Sequence, residues 1–364
     1  MNWRRTFAAA GGQGSESMRA VLFDEFSGPL RVDSAPNPPP VGDGVVIAVR
    51  ATGLCRSDWH GWQGHDPDIR LLPHVPGHEL AGEIVEVGRN VTKWRPGDRV
   101  TMPFVAGCGE CAECRDGAAQ VCDRQFQPGF TSWGSFAELV AVRYADFNLV
   151  RLPPKMDFVT AASFGCRLAT AYRAVAIQGR VAAGHWVAVH GCGGLGLSAV
   201  MIAAALGAQP IAVDIHDDAL ELARQFGAVH GMNATTIDNV PDAIRELTGR
   251  GADVSLDALG SAQTAGNSLR CLRKRGRHVQ VGLLAGGDAQ PRLPMELVVA
   301  RELEIFGSHG LAAADYAPLM SLVASGKLDP RRLVRRIIAL SEAPDALVEL
   351  GRFNHAGITV IEMP

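Results

Sequence analysis

The chain has 364 residues and a mass of 38.6 kDa, enough for about two domains. Its 35 basic and 38 acidic residues leave a net charge of −3, too weak a field for general nucleic-acid or membrane-surface binding, and 3 Tyr with 6 Trp offer few platforms for stacked bases. Hydrophobic residues make up 47%, yet no stretch reaches the ~18 uncharged apolar residues of a membrane span. The informative count is eight cysteines, four of them within the fifteen residues 108–122. No secretory signal is recognisable. That combination favours metal in a reducing, cytoplasmic compartment over disulfides.

Residues 1–17 read as a disordered extension, with Met18 the natural start of the fold. Their arginines leave an organellar presequence as the rival reading. From Met18 to about Leu152 the sequence is β-like. Short β-branched runs, 45–49 and 82–88, alternate with punctuation such as Arg95-Pro96-Gly97-Asp98. Donor-type residues stand at Cys55, in the run Cys55-Arg56-Ser57-Asp58-Trp59-His60, and at His78, in Gly77-His78-Glu79. A third stands at Cys166. Two thiolates and an imidazole would leave a zinc ion one open position, but spacing alone does not assemble these segments.

Cys108, Cys111, Cys114 and Cys122 form a C-x2-C-x2-C-x7-C run. Four thiolates so close can wrap one tetrahedral ion and leave no place for substrate, which predicts a structural zinc. An iron–sulfur cluster is the rival, although the spacing differs from the common ferredoxin run and no second cluster motif is present. A nucleic-acid zinc ribbon would want basic neighbours, whereas Glu110, Glu113 and Asp116 lie there.

From about Thr170 helical patterns alternate with apolar strands, the pattern of a parallel α/β sheet. Residues 186–190 read as a buried strand, followed at once by Gly191-Cys192-Gly193-Gly194-Leu195-Gly196 and an apolar helix over 197–206. A second strand over 211–214 ends in Asp214, 23 residues after Gly191 and close to the ~20 of a dinucleotide fingerprint. Glycines let backbone approach a pyrophosphate, and the helix N-terminus offers free N–H groups. Asp214 would accept from the adenosine ribose and repel a 2′-phosphate, favouring NAD over NADP. Later strands are expected over 254–257 and 278–282.

Taken together these motifs resemble the zinc-dependent medium-chain dehydrogenase/reductase family, alcohol dehydrogenase type, from Met18 to the C-terminus. The matching features are Cys55 followed by Gly77-His78-Glu79, the four-cysteine run, Cys166 before Ala169-Thr170-Ala171-Tyr172, and the glycine fingerprint. The resemblance implies an α/β protein with a β-rich GroES-like catalytic domain and an inserted doubly wound Rossmann domain. The expected parts are catalytic domain over 18–167, with the cysteine lobe at about 107–123, Rossmann domain over 168–304, and catalytic domain again over 305–364. It implies hydride transfer between an alcohol and NAD, with two zinc ions per chain.

The roles implied are specific. Cys55, His78 and Cys166 hold catalytic zinc, and Cys108, Cys111, Cys114 and Cys122 hold structural zinc. Asp58 orients His78, and Glu79 lies beside the metal. Ser57 and His60 relay the alcohol proton. Arg56, Thr170, Gly191, Gly193, Gly194, Leu195, Gly196, Asp214 and Val281 meet the cofactor. Trp62 and Phe104 wall the substrate pocket. Arg167, where small residues are more usual, faces cofactor phosphate, a carboxylated substrate or solvent. A short segment between Cys122 and Cys166 resembles tetrameric microbial members, with a dimer as the alternative. A formaldehyde or polyol/sugar dehydrogenase is the runner-up, although polyol relatives usually use a carboxylate where Cys166 stands. The alcohol or carbonyl substrate is small; no nucleic-acid or membrane partner is expected.

Overall fold

The computed structural model describes residues 16–352 and 356–364. Most of the expected extension lies outside the described residues, but its last two positions are structured. Ser17 opens the strand Ser17–Leu22, which pairs antiparallel with Arg31–Pro36, and Glu16 accepts a hydrogen bond from the Asn37 N–H at 3.2 Å. The cause is the buried set Met18, Ala20, Val21 and Leu22, which anchors the strand and carries its first residue with it.

The sheet that joins the N-terminal half to the C-terminus is organised by the ten-residue strand Val45–Leu54. It is buried almost throughout, which explains its near-continuous apolar text. It pairs antiparallel with Glu79–Val87, with Leu139–Val142 and with Ile358–Glu362. The last pairing sets Thr359 against Leu54 and Glu362 against Ala51, so the C-terminal strand completes a sheet begun by the N-terminal half. Arg99–Thr101, Val150–Arg151 and Val334–Ala339 extend that sheet.

Between these parts lies a six-stranded sheet in which every pairing is parallel. Its spatial order is His230–Asn233, Gln209–Asp214, Trp186–His190, Ala252–Asp257, Leu272–Gln280, Glu304–Gly307. The winding reverses between Trp186–His190 and Ala252–Asp257. At such a switch point a crevice opens at the carboxyl ends of the strands. The glycine-rich turn sits there. Gly191 has φ +91°, a conformation that a side chain would strain. The following helix, Gly194–Ala205, starts inside the glycine run, three residues before the apolar pattern suggested. It is apolar on all sides because the parallel sheet and residues such as Ala51, Phe164 and Leu168 cover it together.

Both expected domain boundaries fall inside elements. The helix Arg167–Tyr172 crosses 167/168 and the strand Glu304–Gly307 crosses 304/305. The reason is a shared core. Ala51, Ala81, Phe164 and Leu168 belong to the same apolar cluster as Val187, Leu197 and Ile202. The helix Tyr316–Ala324 packs there too, and the Tyr316 hydroxyl donates to the Phe164 carbonyl at 2.8 Å. Among the described residues no helix is long and apolar enough to cross a membrane.

Candidate active site

Cys55 follows the strand Val45–Leu54 and N-caps the short helix Arg56–Trp62. Asp58 occupies the first turn of that helix and is buried. Its Oδ2 accepts from the Cys55 N–H at 2.9 Å, and its Oδ1 from the Gly77 N–H at 3.1 Å and from His78 Nδ1 at 2.7 Å. One carboxylate thus pins two donor residues. With Nδ1 engaged, Nε2 of His78 is buried and has no hydrogen-bond partner among the described residues. Donor atoms of Cys55, His78, Glu79 and Cys166 lie within 4.8 Å of one another. An orphaned imidazole nitrogen between two thiols is the donor chemistry that zinc satisfies.

Glu79, the first residue of Glu79–Val87, is wholly buried. Arg167 claims it. Nε of Arg167 donates to Oε1 at 2.9 Å, its backbone N–H to the same oxygen at 3.2 Å, and Nη2 to Oε2 in a short contact. Nη1 donates to the Leu54 carbonyl at 3.1 Å. Burial pushes the Glu79 carboxyl up, and Arg167 pulls against that. Arg167 therefore does not point to solvent, as one of its expected roles had it; only 10% of its side chain is exposed. Glycine is required around this pair: a Cβ on Gly53 would collide with the Glu79 carboxylate, and one on Gly165 would lie 2.8 Å from Glu79 Cα.

Two aromatic rings flank His78. Phe104, half-buried, meets it edge-on at 6.0 Å between centroids, and Phe130 stands at 5.2 Å. His309 packs on Phe104 at 5.2 Å. Phe130 also lines a cavity of about 520 Å³ with Leu71, Leu72, His74 and Trp133. Trp62 packs in an apolar core with its indole N–H donating to the Gly28 carbonyl at 2.9 Å. Phe130 and His309 were not legible beforehand, because nothing local marks an aromatic that arrives from a distant loop.

Ser57 and His60 lie three positions apart on the Arg56–Trp62 helix, hence on neighbouring parts of one face. Burial, with Arg56 nearby, pushes the His60 imidazole down. Arg56 donates Nη1 to the Leu350 carbonyl at 2.8 Å and lies over the Trp59 ring at 4.9 Å.

On the dinucleotide side, Thr170 is buried and its Oγ1 has no partner among the described residues. A Cβ on Gly193 would meet open space, one on Gly196 would collide with the Gly191 carbonyl, and one on Gly194 would lie 2.8 Å from Cδ of Arg167. The turn is thus a cradle open on one side and tight on the other. Asp214 Oδ2 accepts from the Cys192 N–H at 2.6 Å, and Oδ1 from Ile215 and His216 at 2.7 and 3.0 Å. These bonds fix the carboxylate at the strand end. A carboxylate has about four acceptor sites, so one remains. Leu195 and Val281 are half-buried near the same strand ends.

Four of the six other cysteines form a separate lobe. Cys108, Cys111, Cys114 and Cys122 have sulfur atoms within 4.8 Å of one another. Backbone N–H groups of Glu110 and Cys111 point at Cys108 Sγ, each at 3.4 Å, and those of Cys108 and Arg124 at Cys122 Sγ, at 3.2 and 3.3 Å. Burial opposes a charge on Cys108, but these donors outweigh it and hold the thiol at about 6. All eight cysteines are free of disulfides.

Residues 42–154 match the alcohol dehydrogenase GroES-like domain, and residues 194–325 match the zinc-binding dehydrogenase family. An NAD-dependent alcohol dehydrogenase of Sulfurisphaera tokodaii is 35% identical over 94% of this chain and 99% of its own. The chain belongs to the zinc-dependent medium-chain alcohol dehydrogenase family. Within that family the fold is closely kept. The alcohol dehydrogenase of the archaeon Aeropyrum pernix superposes with a TM-score of 0.85 at 31% identity, covering 95% of this chain and 100% of that one. Identity does not single out a substrate, since a sorbitol dehydrogenase of Halalkalibacterium halodurans is 34% identical over 89% of this chain and 94% of its own.

Proposed function

We propose that the chain transfers hydride between a small alcohol and NAD, using one catalytic and one structural zinc ion. The observation that carries this reading is the donor count. Arg167 occupies both oxygens of Glu79, which leaves Cys55, His78 and Cys166 as the donors of the buried group. Three protein ligands leave one position for an alcohol oxygen, whereas the four-cysteine lobe leaves none. Cys166, standing where polyol relatives usually carry a carboxylate, also favours an alcohol over a polyol dehydrogenase.

Zinc at that group would supply Lewis-acid polarisation of the hydroxyl, and NAD in the crevice would supply the hydride acceptor. The chain's own residues do the rest. Asp58 fixes the His78 tautomer so that Nε2 faces the donor group. Ser57 Oγ receives the alcohol proton, and His60 passes it toward solvent, its imidazole held below the ordinary value by burial and so ready to give a proton up. Gly191, Gly193, Gly194, Leu195 and Gly196 admit the pyrophosphate to the helix N-terminus, with Arg56 adding charge. Asp214 takes the adenosine ribose. Thr170 Oγ1 gives the nicotinamide a buried hydroxyl, and Val281 borders it. Phe104 walls the substrate side.

A tetramer is favoured by the short segment between Cys122 and Cys166, with a dimer as the alternative. Eight unpaired thiols support a reducing, cytoplasmic setting. Initial rates with NAD and NADP across primary, secondary, allylic and aromatic alcohols test the reading. NAD-linked oxidation of at least one class is expected. Inertness toward all of them would overturn it, and a strong NADP preference would remove Asp214 from its role.

A further inference from the structure

His65 is absorbed by none of the roles above. It lies in the turn after the helix Arg56–Trp62, exposed, and its N–H donates to the His60 carbonyl at 3.0 Å. That bond brings the two imidazoles together, with Nδ1 of His60 3.0 Å from Nδ1 of His65. Trp59 meets both rings edge-on, at 5.0 and 5.9 Å between centroids, and fixes the pair from one side. A hydrogen bond between two ring nitrogens needs one to donate and the other to accept, so the contact itself requires that at least one facing nitrogen carry a lone pair.

The geometry points to His65 as the outer member of a two-histidine proton exit, carrying the alcohol proton from His60 to bulk water. This rests on the proposed alcohol oxidation. The step balances in protons. One arrives at Nε2 of His60, one passes from its Nδ1 to Nδ1 of His65, and one leaves from Nε2 of His65 to water. Exchange with water then resets the tautomers. No electron pair moves between heavy atoms, and no further reactant is needed. His60 is only half-buried, but its Nδ1 is taken by a partner, so the exposed ring beyond it is the route that this contact provides.

The charged groups around the pair are few. On its own element these are Arg56 and Cys55, which act on His60, and Asp58, which is committed to His78. The elements packed on the helix carry Asp345, Glu349 and Arg352, of which Glu349 is paired with Arg336 at 3.1 Å.

The test compares the parent enzyme with His65→Phe, an exposed substitution outside the zinc donor set. In the parent, imidazole nitrogen NMR is expected to show a scalar coupling across the Nδ1–Nδ1 contact of His60 and His65. Alcohol oxidation at low buffer concentration should fall roughly three- to tenfold, less than the ~100-fold of a base touching the reacting group. Added imidazole should restore it, while KM for NAD stays put. Absence of that coupling in the parent, or an unchanged pH profile and buffer response of alcohol oxidation in His65→Phe, would overturn the proposal. A parent that oxidises no alcohol would instead sink the underlying function, and the NMR coupling would still decide whether the pair exists.

Discussion

Cys108, Cys111, Cys114 and Cys122 come from one fifteen-residue segment, whereas Cys55, His78 and Cys166 come from three segments joined only by the fold. The lobe is held by its own backbone N–H groups. The assembled site is held by side chains, with Asp58 tying Cys55 to His78 and Arg167 tying Glu79 to Leu54. Each cluster also has one arginine beside it. Arg167 is 10% exposed, while Arg124, which reaches Cys108 Sγ at 3.4 Å and Glu110 at 2.9 Å, is 56% exposed. The closed cluster therefore depends on local chain geometry, and the open one on buried charge. A site that must admit substrate cannot wrap its ion with one loop, so its support has to come from neighbouring elements.

The contrast predicts unequal responses. Arg167→Ala strands the buried Glu79 carboxylate, and loss of one partner of a buried pair costs about 3–5 kcal/mol. Urea unfolding should show that loss, and adding Glu79→Gln should recover much of it. A loss below about 1 kcal/mol would mean that the pair is not buried in solution. Asp58→Asn should weaken metal retention in the assembled site by ~10–100-fold, the usual effect of removing a carboxylate behind a ligating histidine. Competition with a chelator should then strip one zinc early and leave the other in the lobe. Simultaneous loss of both would break the distinction between the sites. Arg124→Ala is the smallest case. Arg124 and its carboxylate partner Glu110 are solvent-exposed, so unfolding should barely shift and metal content should not change.

The same contrast explains what the sequence made legible. The lobe could be read directly because its donors are neighbours in the chain. The glycine turn could be read because strand, turn, helix and Asp214 follow one another. The assembled site was reached only through resemblance, since no local pattern links Cys55 to Cys166. Arg167 was noticed as unusual, yet its partner was not, because the Arg167–Glu79 contact depends on how the strand Glu79–Val87 meets the helix Arg167–Tyr172. For Trp62 the run gives the helix position, while its surroundings are set by Gly28 and the core. The domain boundaries fell inside elements because the two domains share one apolar cluster.

The most direct test joins metal content to activity in Cys55→Ala. The account predicts that the purified variant stays folded, retains one zinc ion per chain in the four-cysteine lobe, and loses NAD-linked alcohol oxidation. Full oxidation by that variant would contradict the assignment of Cys55, His78 and Cys166 as the catalytic centre.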